Sequence, residues 1–280
     1  MRAFQLVAIT VLSTIFGILA APPVSAILAL TGADSGILAF VVLNTPHILM
    51  LVFALFSCRL VMGWKPGMIL RDDGRADWKV LASGVLSALC VLVAGMLLTD
   101  GVQPVSAPAA RRLAFMCAAL VLTPLQALSE EVVFRVLPVR AVTGGSLDCP
   151  PWRQIAASLV SGLLFLVLHL SNSEFSLGLN KVLVALYYFL FGVLGTLTSF
   201  RKGGFEAVWG VHLANNLFVA LVLNYPGSPY VTPSLFTRGT PLSMPAQLVQ
   251  LVLIFTLVTF IPHPGFKKEI KESDYGQREI

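Results

Sequence analysis

The chain is dominated by apolar runs long enough to cross a bilayer. They fall at about 4–21, 36–57, 80–98, 113–139, 155–170, 182–200, 205–223 and 248–261. Roughly 20 apolar residues wound as a helix span the hydrocarbon core, and backbone at that depth must satisfy its own hydrogen bonds. The pattern therefore predicts an all-α polytopic membrane protein of about eight helices. Composition agrees: the sequence is 56% hydrophobic and 12% charged, where soluble domains carry about 25% charged residues.

One organisational unit is expected, a single transmembrane domain over 1–266, followed by a polar cytoplasmic tail at 267–280. The first run could be a signal peptide, with Met1-Arg2 before it and small residues at Val24-Ser25-Ala26. More apolar sequence follows at once, so a retained anchor is the preferred reading. Cys58, Cys90, Cys117 and Cys149 are scattered, without the pairing of a disulfide framework or a zinc site.

The net charge of +5 does not indicate nucleic acid, because the basic residues lie between apolar runs rather than in one patch. They read instead as topology determinants. Arg59, Lys65, Arg71 and Arg75 follow the second run, Arg140 and Arg153 the fourth, and Arg201 and Lys202 the sixth. The alternate connections hold few positive charges: none at 21–35 or 171–180, and only Arg238 at 225–247. Arg111 and Arg112 are the exception. Both termini should then be cytoplasmic.

Against this background Ser129-Glu130-Glu131-Val132-Val133-Phe134-Arg135 is an anomaly. With cytoplasmic boundaries at Arg140, Trp152 and Gly204, a helical rise puts Glu130 about 15 Å deep, His169 about 25 Å, His212 about 12 Å and Asn216 about 18 Å. A break at Pro124 would shift these depths. Ionisable groups at such depth are costly and point to function. Glu131 and Arg135, four apart with the carboxylate first, are placed to pair, whereas Glu130 points about 100° away. On the fifth run Phe165 and His169 share a face, and on the seventh His212 and Asn216 do so. A base, a second acid-base group and two donors for a developing oxyanion are the inventory for amide hydrolysis by an activated water. Interhelical hydrogen bonding by the same His and Asn residues is the plainer alternative.

Taken in order, Glu130-Glu131-x-x-x-Arg135, Phe165-x-x-x-His169 and His212-x-x-x-Asn216 resemble the CPBP family, also called the Abi or CAAX-protease family. The resemblance covers about 113–223. It implies an intramembrane glutamic endopeptidase whose helices surround a polar cavity. Glu130 would activate water, His169 position it, and His212 with Asn216 stabilise the oxyanion; Glu131, Arg135 and Phe165 would support them. The expected partners are the lipid bilayer and a membrane-associated or lipidated peptide or protein, with the bacterial plasma membrane as the location if the bacterial branch applies. No cofactor is expected.

Two alternatives stand beside this reading. A zinc protease could use Glu130, His169 and His212 as ligands, although no His-Glu-x-x-His is present. A non-enzymatic immunity or transport module could also bury ionisable groups, but the two halves show no repeat.

Overall fold

A computed structural model of the chain describes residues 2–30, 35–228, 230 and 232–262; the expected polar tail lies outside the described residues. Its elements are α1 (Arg2–Ala29), α2 (Ser35–Met62), the short α3 (Pro66–Leu70), α4 (Trp78–Leu97), α5 (Ala109–Glu131), α6 (Leu137–Thr143), α7 (Pro151–His169), α8 (Lys181–Lys202), α9 (Glu206–Leu217) and α10 (Met244–Phe260). Five-residue π segments follow α5, at Val132–Val136, and α9, at Phe218–Val222.

Six helical stretches are long and apolar enough to cross a membrane, and Glu206–Val222 and Met244–Phe260 are shorter apolar helices. The eight apolar runs of the sequence thus all become helices, two of them short. Their surfaces are inverted relative to a water-soluble bundle. Phe4, Leu19, Phe56, Leu86, Val121 and Val182 are exposed, whereas Glu131, Arg135, Glu206 and Arg140 are buried. Lipid-facing apolar side chains around a polar interior are what a membrane solvent selects.

The bundle pairs α1 with α2, α4 with α9, and α7 with α8, while α5 contacts α2 and α9. Small residues allow the closest of these approaches. A Cβ on Gly84 of α4 would collide with the Ala207 carbonyl of α9, and one on Gly210 with the Leu81 carbonyl. With no hydrophobic drive between helices in lipid, such backbone proximity is a principal source of packing energy.

Pro124 does not interrupt α5, contrary to the sequence-based allowance for a break there. The helix is regular from Ala109 through Glu131. The irregularity begins directly after the carboxylates, in the segment where the Leu137 amide donates to the Val132 carbonyl, five residues back. Pro138 follows and has no N–H to continue the ordinary ladder, so widening of the preceding turn has a direct cause.

Beyond the helices is a small three-stranded sheet not foreseen from the sequence: β1 (Val102–Pro104), β2 (Leu223–Asn224) and β3 (Phe236–Arg238), with β3 central, antiparallel to β1 and parallel to β2. It ties together connections at the end assigned to the outside. The opposite end is laced by ion pairs. Arg71 Nε lies 3.0 Å from Glu206 Oε1, and Arg140 Nη1 lies 2.7 Å from Asp72 Oδ1. The Ser146 hydroxyl and the Leu147 amide also donate to Asp72, at 2.7 and 2.8 Å. Arg71 and Arg140, read from the sequence as topology charges, are therefore also fastened internally. Arg140 is buried in α6 rather than lying in an exposed connection.

Candidate active site

Three helices bring the predicted polar residues to one place. Glu130 is the penultimate residue of α5, His169 ends α7, and His212 and Asn216 lie one turn apart on α9. Glu130 Oε2 is 3.7 Å from His169 Nε2 and 3.6 Å from His212 Nε2. Each imidazole is fixed through its other nitrogen. His169 Nδ1 lies 2.6 Å from the Phe165 carbonyl oxygen, and His212 Nδ1 lies 2.8 Å from Glu131 Oε1. A carbonyl or carboxylate oxygen accepts, so Nδ1 carries a proton in both, and both Nε2 atoms face Glu130.

Glu131 and Arg135 form the pair that their spacing predicts. Arg135 Nε donates to Glu131 Oε2 at 2.5 Å, and Nη1 donates to the Gly192 carbonyl of α8 at 2.7 Å. Neither side chain has solvent exposure. Glu131 thus links an arginine anchored on α8 to the imidazole of His212. Phe165 stacks on His169 with ring centroids 4.3 Å apart, and the Arg135 guanidinium sits 5.2 Å from the Phe165 ring centre. All seven predicted site residues belong to this one assembly.

The same assembly contains residues that the motif spacings do not single out. Gln126, one turn before Glu130 on α5, donates from Nε2 to Glu130 Oε1 at 2.6 Å. Its Oε1 accepts from Asn216 Nδ2 at 3.1 Å and from the Tyr230 hydroxyl at 3.2 Å. Burial, reinforced by the negative charge of Glu130, pushes the Tyr230 phenol well above its usual pKa, so it remains a donor. Asn216 Oδ1 in turn accepts from Asn215 Nδ2 at 3.2 Å. The four-residue spacing of Gln126 from Glu130 was visible in the sequence. Tyr230 lies in an irregular connection and gave no periodic signal.

A fourth polar contact comes from α2. His47 Nδ1 is 3.5 Å from Glu130 Oε1. No sequence pattern linked this helix to the motifs.

These groups face a cavity of about 340 Å³. It runs from Glu130, His169 and His212 to Glu174, Tyr225 and Arg238 at the end bearing the small sheet. Among the described residues that line it there is no serine or cysteine. Among the described residues no three His, Cys, Asp or Glu side chains are grouped so as to hold a metal ion. The arrangement offers one carboxylate between two oriented imidazoles, with amide and phenol donors beside it.

Residues 112–218, which span α5 to the start of the second π segment, match the family model described as type II CAAX prenyl endopeptidase Rce1-like. The chain is also similar to an uncharacterised protein, YyaK, of Bacillus subtilis (strain 168): 28% identity over 209 residues, covering 72% of this chain and 68% of that protein. No solved structure matches. The segment that carries Glu130, His169, His212 and Asn216 is thus similar to the Rce1-like family.

Proposed function

We propose that this protein is an intramembrane endopeptidase that hydrolyses a peptide bond near the carboxyl terminus of a lipidated or membrane-associated substrate, using water activated by Glu130. The observation that carries the reading is the placement of Glu130 Oε2 within 3.7 Å of His169 Nε2 and 3.6 Å of His212 Nε2 at a cavity. Separations of this size suit a water that hydrogen-bonds the carboxylate and an imidazole together. The Rce1-like match supports the class of reaction.

In this mechanism Glu130 takes a proton from the water as its oxygen attacks the carbonyl carbon. His169, held by the Phe165 carbonyl, positions that water. The developing oxyanion is met by the Asn216 amide and by His212, which donates from Nε2 as an imidazolium whose charge the Glu131 carboxylate at Nδ1 balances; its orientation is set by the Glu131–Arg135 pair. One Asn216 N–H is directed to Gln126; the second is available to the substrate. No covalent acyl-enzyme is required, which agrees with a described lining free of serine and cysteine.

The test is cleavage of a farnesylated fluorogenic peptide ending in a Cys-aliphatic-aliphatic-X sequence by the full-length protein in lipid nanodiscs. Glu130→Gln should insert and fold as wild type yet lose at least about 10³-fold in kcat, the scale of a missing general base. Turnover by Glu130→Gln at the wild-type rate would sink the assignment. Comparing membrane peptides in cells carrying wild type or Glu130→Gln should then reveal the natural substrate as the species that accumulates uncut.

A further inference from the structure

Helix α2 lies outside the matched segment, yet it presents two unsatisfied polar atoms to the cavity. His47 and Asn44, three residues apart on one face, both line it. His47 Nδ1 and Asn44 Oδ1 are buried and have no hydrogen-bond partner among the described residues. Asn44 is otherwise tied down, its Nδ2 donating to the Phe40 carbonyl of its own helix at 2.7 Å, which fixes Oδ1. Buried polar atoms of structural residues are normally paired, and orphans at membrane depth call for an explanation.

His47 also differs from the other two histidines in the way it meets Glu130. His169 and His212 each have Nδ1 locked by a hydrogen bond and turn Nε2 toward Oε2. His47 turns Nδ1 toward the opposite oxygen, Oε1, at 3.5 Å, and among the described residues its Nδ1 has no such lock. An imidazole free to exchange tautomers can receive a proton on one nitrogen and release one from the other. Glu130 on α5 faces it, and His169 on α7 and His212 on α9 line the same cavity.

We propose that α2 supplies the leaving-group side of the site: His47 carries the proton from Glu130 to the departing amine, and Asn44 Oδ1 accepts a backbone N–H of the substrate. This rests on the endopeptidase reading above. Glu130 gains a proton when the water oxygen bonds to the carbonyl carbon and the carbonyl π electrons move to oxygen. The proton arrives on Oε2; a half-turn of the carboxyl about its Cγ–Cδ bond presents it to His47 Nδ1, while His47 Nε2 gives its own proton to the amide nitrogen. The C–N bond breaks with its electron pair on nitrogen as the carbonyl re-forms. Glu130 is again a carboxylate, His47 is neutral in its other tautomer, and the products are an acid and an amine. Exchange with water in the cavity resets the ring.

The experiment uses the full-length protein in nanodiscs and the farnesylated fluorogenic peptide. His47→Gln should lower kcat by about 10²-fold, the low end of the range for one acid-base group, with KM changed less than about threefold. Its Glu130, His169 and His212 remain in place, so a residual rate well above that of Glu130→Gln is expected. His47→Ala should recover at least about tenfold in kcat when imidazole is added, which a purely structural role would not permit; Glu130→Gln should show no such rescue. Asn44→Ala should instead raise KM. A kcat for His47→Gln within about threefold of wild type, or a folded His47→Ala that imidazole does not restore, overturns the role of His47 and leaves the role of Glu130 standing. If His47→Ala does not fold, the decision rests on kcat of His47→Gln. A wild-type protein inactive on this peptide, or a fully active Glu130→Gln, overturns the reaction itself and the role of His47 with it.

Discussion

Removing the Arg135 guanidinium should cost about 3–5 kcal/mol of stability, the scale for breaking a buried ion pair and stranding its partner. Arg135 and Glu131 have no exposure. Arg135→Met removes the 2.5 Å contact with Glu131 Oε2 and the 2.7 Å hydrogen bond to the Gly192 carbonyl. Glu131 is then left with His212 Nδ1, at 2.8 Å, as its remaining close partner. Each hydrogen bond to a charged group is worth about 1.5–3 kcal/mol, and two of them reach the same total. Glu131→Gln removes the charge that needs compensation. The double variant should therefore be more stable than the sum of the two single losses predicts, by about 2–3 kcal/mol. The assay is reversible unfolding of the four proteins in mixed micelles, read as a double-mutant cycle. Arg135→Met within about 1 kcal/mol of wild type, or strictly additive losses, would refute the claim that the pair is a closed, desolvated unit. Gly195→Ala offers an independent check. A Cβ there would collide with the Arg135 guanidinium and with Val208, so this small change should displace Arg135 and lower both stability and turnover.

Three further outcomes are expected. Asp72 lies between α3 and α4, outside the spans; burial raises its pKa, but the Ser146 hydroxyl, Arg140 and the Leu147 amide outweigh this and hold it below the usual carboxylate value. A carboxyl shifted down in the folded state contributes stability above its unfolded pKa of about 3.9 and loses it as pH falls through the folded value; Asp72→Asn should therefore flatten the decline of Tm with acid below about pH 4. Incubation with a zinc chelator should leave turnover of the farnesylated peptide unchanged under the glutamic mechanism, and loss of activity restored by added zinc would favour the metal alternative. In a cysteine-free background, a membrane-impermeant maleimide applied to intact cells should label Ser176→Cys, on the end toward which the cavity runs. Arg75→Cys should react only after permeabilisation, and the reverse pattern would invert the assigned topology.

Much of the site was legible because helices impose a fixed period. Glu131 with Arg135, Phe165 with His169, and His212 with Asn216 are each four apart, and each pair does share a face and a neighbourhood. Gln126 obeys the same rule relative to Glu130 and forms the shortest hydrogen bond to it, but a neutral amide in an apolar run is less conspicuous than a charge. The fold was legible for the same reason, since eight apolar runs leave helices as the available spanning structure. The small sheet was not, because strands of two or three residues have no measurable periodicity.

What periodicity cannot supply is the rotation of one helix against another. α2 is apolar along its whole length, with almost no amphipathic preference to say which face turns inward. His47 and Asn44 therefore look, in the sequence, like isolated polar residues in a lipid-facing helix. Their inward placement follows from packing: α2 lies against α1 on one side and α5 on another, and the α5 contact turns the Asn44–His47 face toward Glu130. The same logic explains the two orphaned atoms. A polar atom facing lipid can find no partner there, whereas one facing a polar cavity can be met by a ligand. Glu130 is thus met from two sides. Oε2 faces imidazoles whose Nδ1 atoms are held by Phe165 and Glu131, while Oε1 faces Gln126 and an imidazole without such a lock. Under the proposed mechanism, that asymmetry separates the two halves of the reaction: the held side orients the water for attack, and the mobile side carries its proton to the leaving amine.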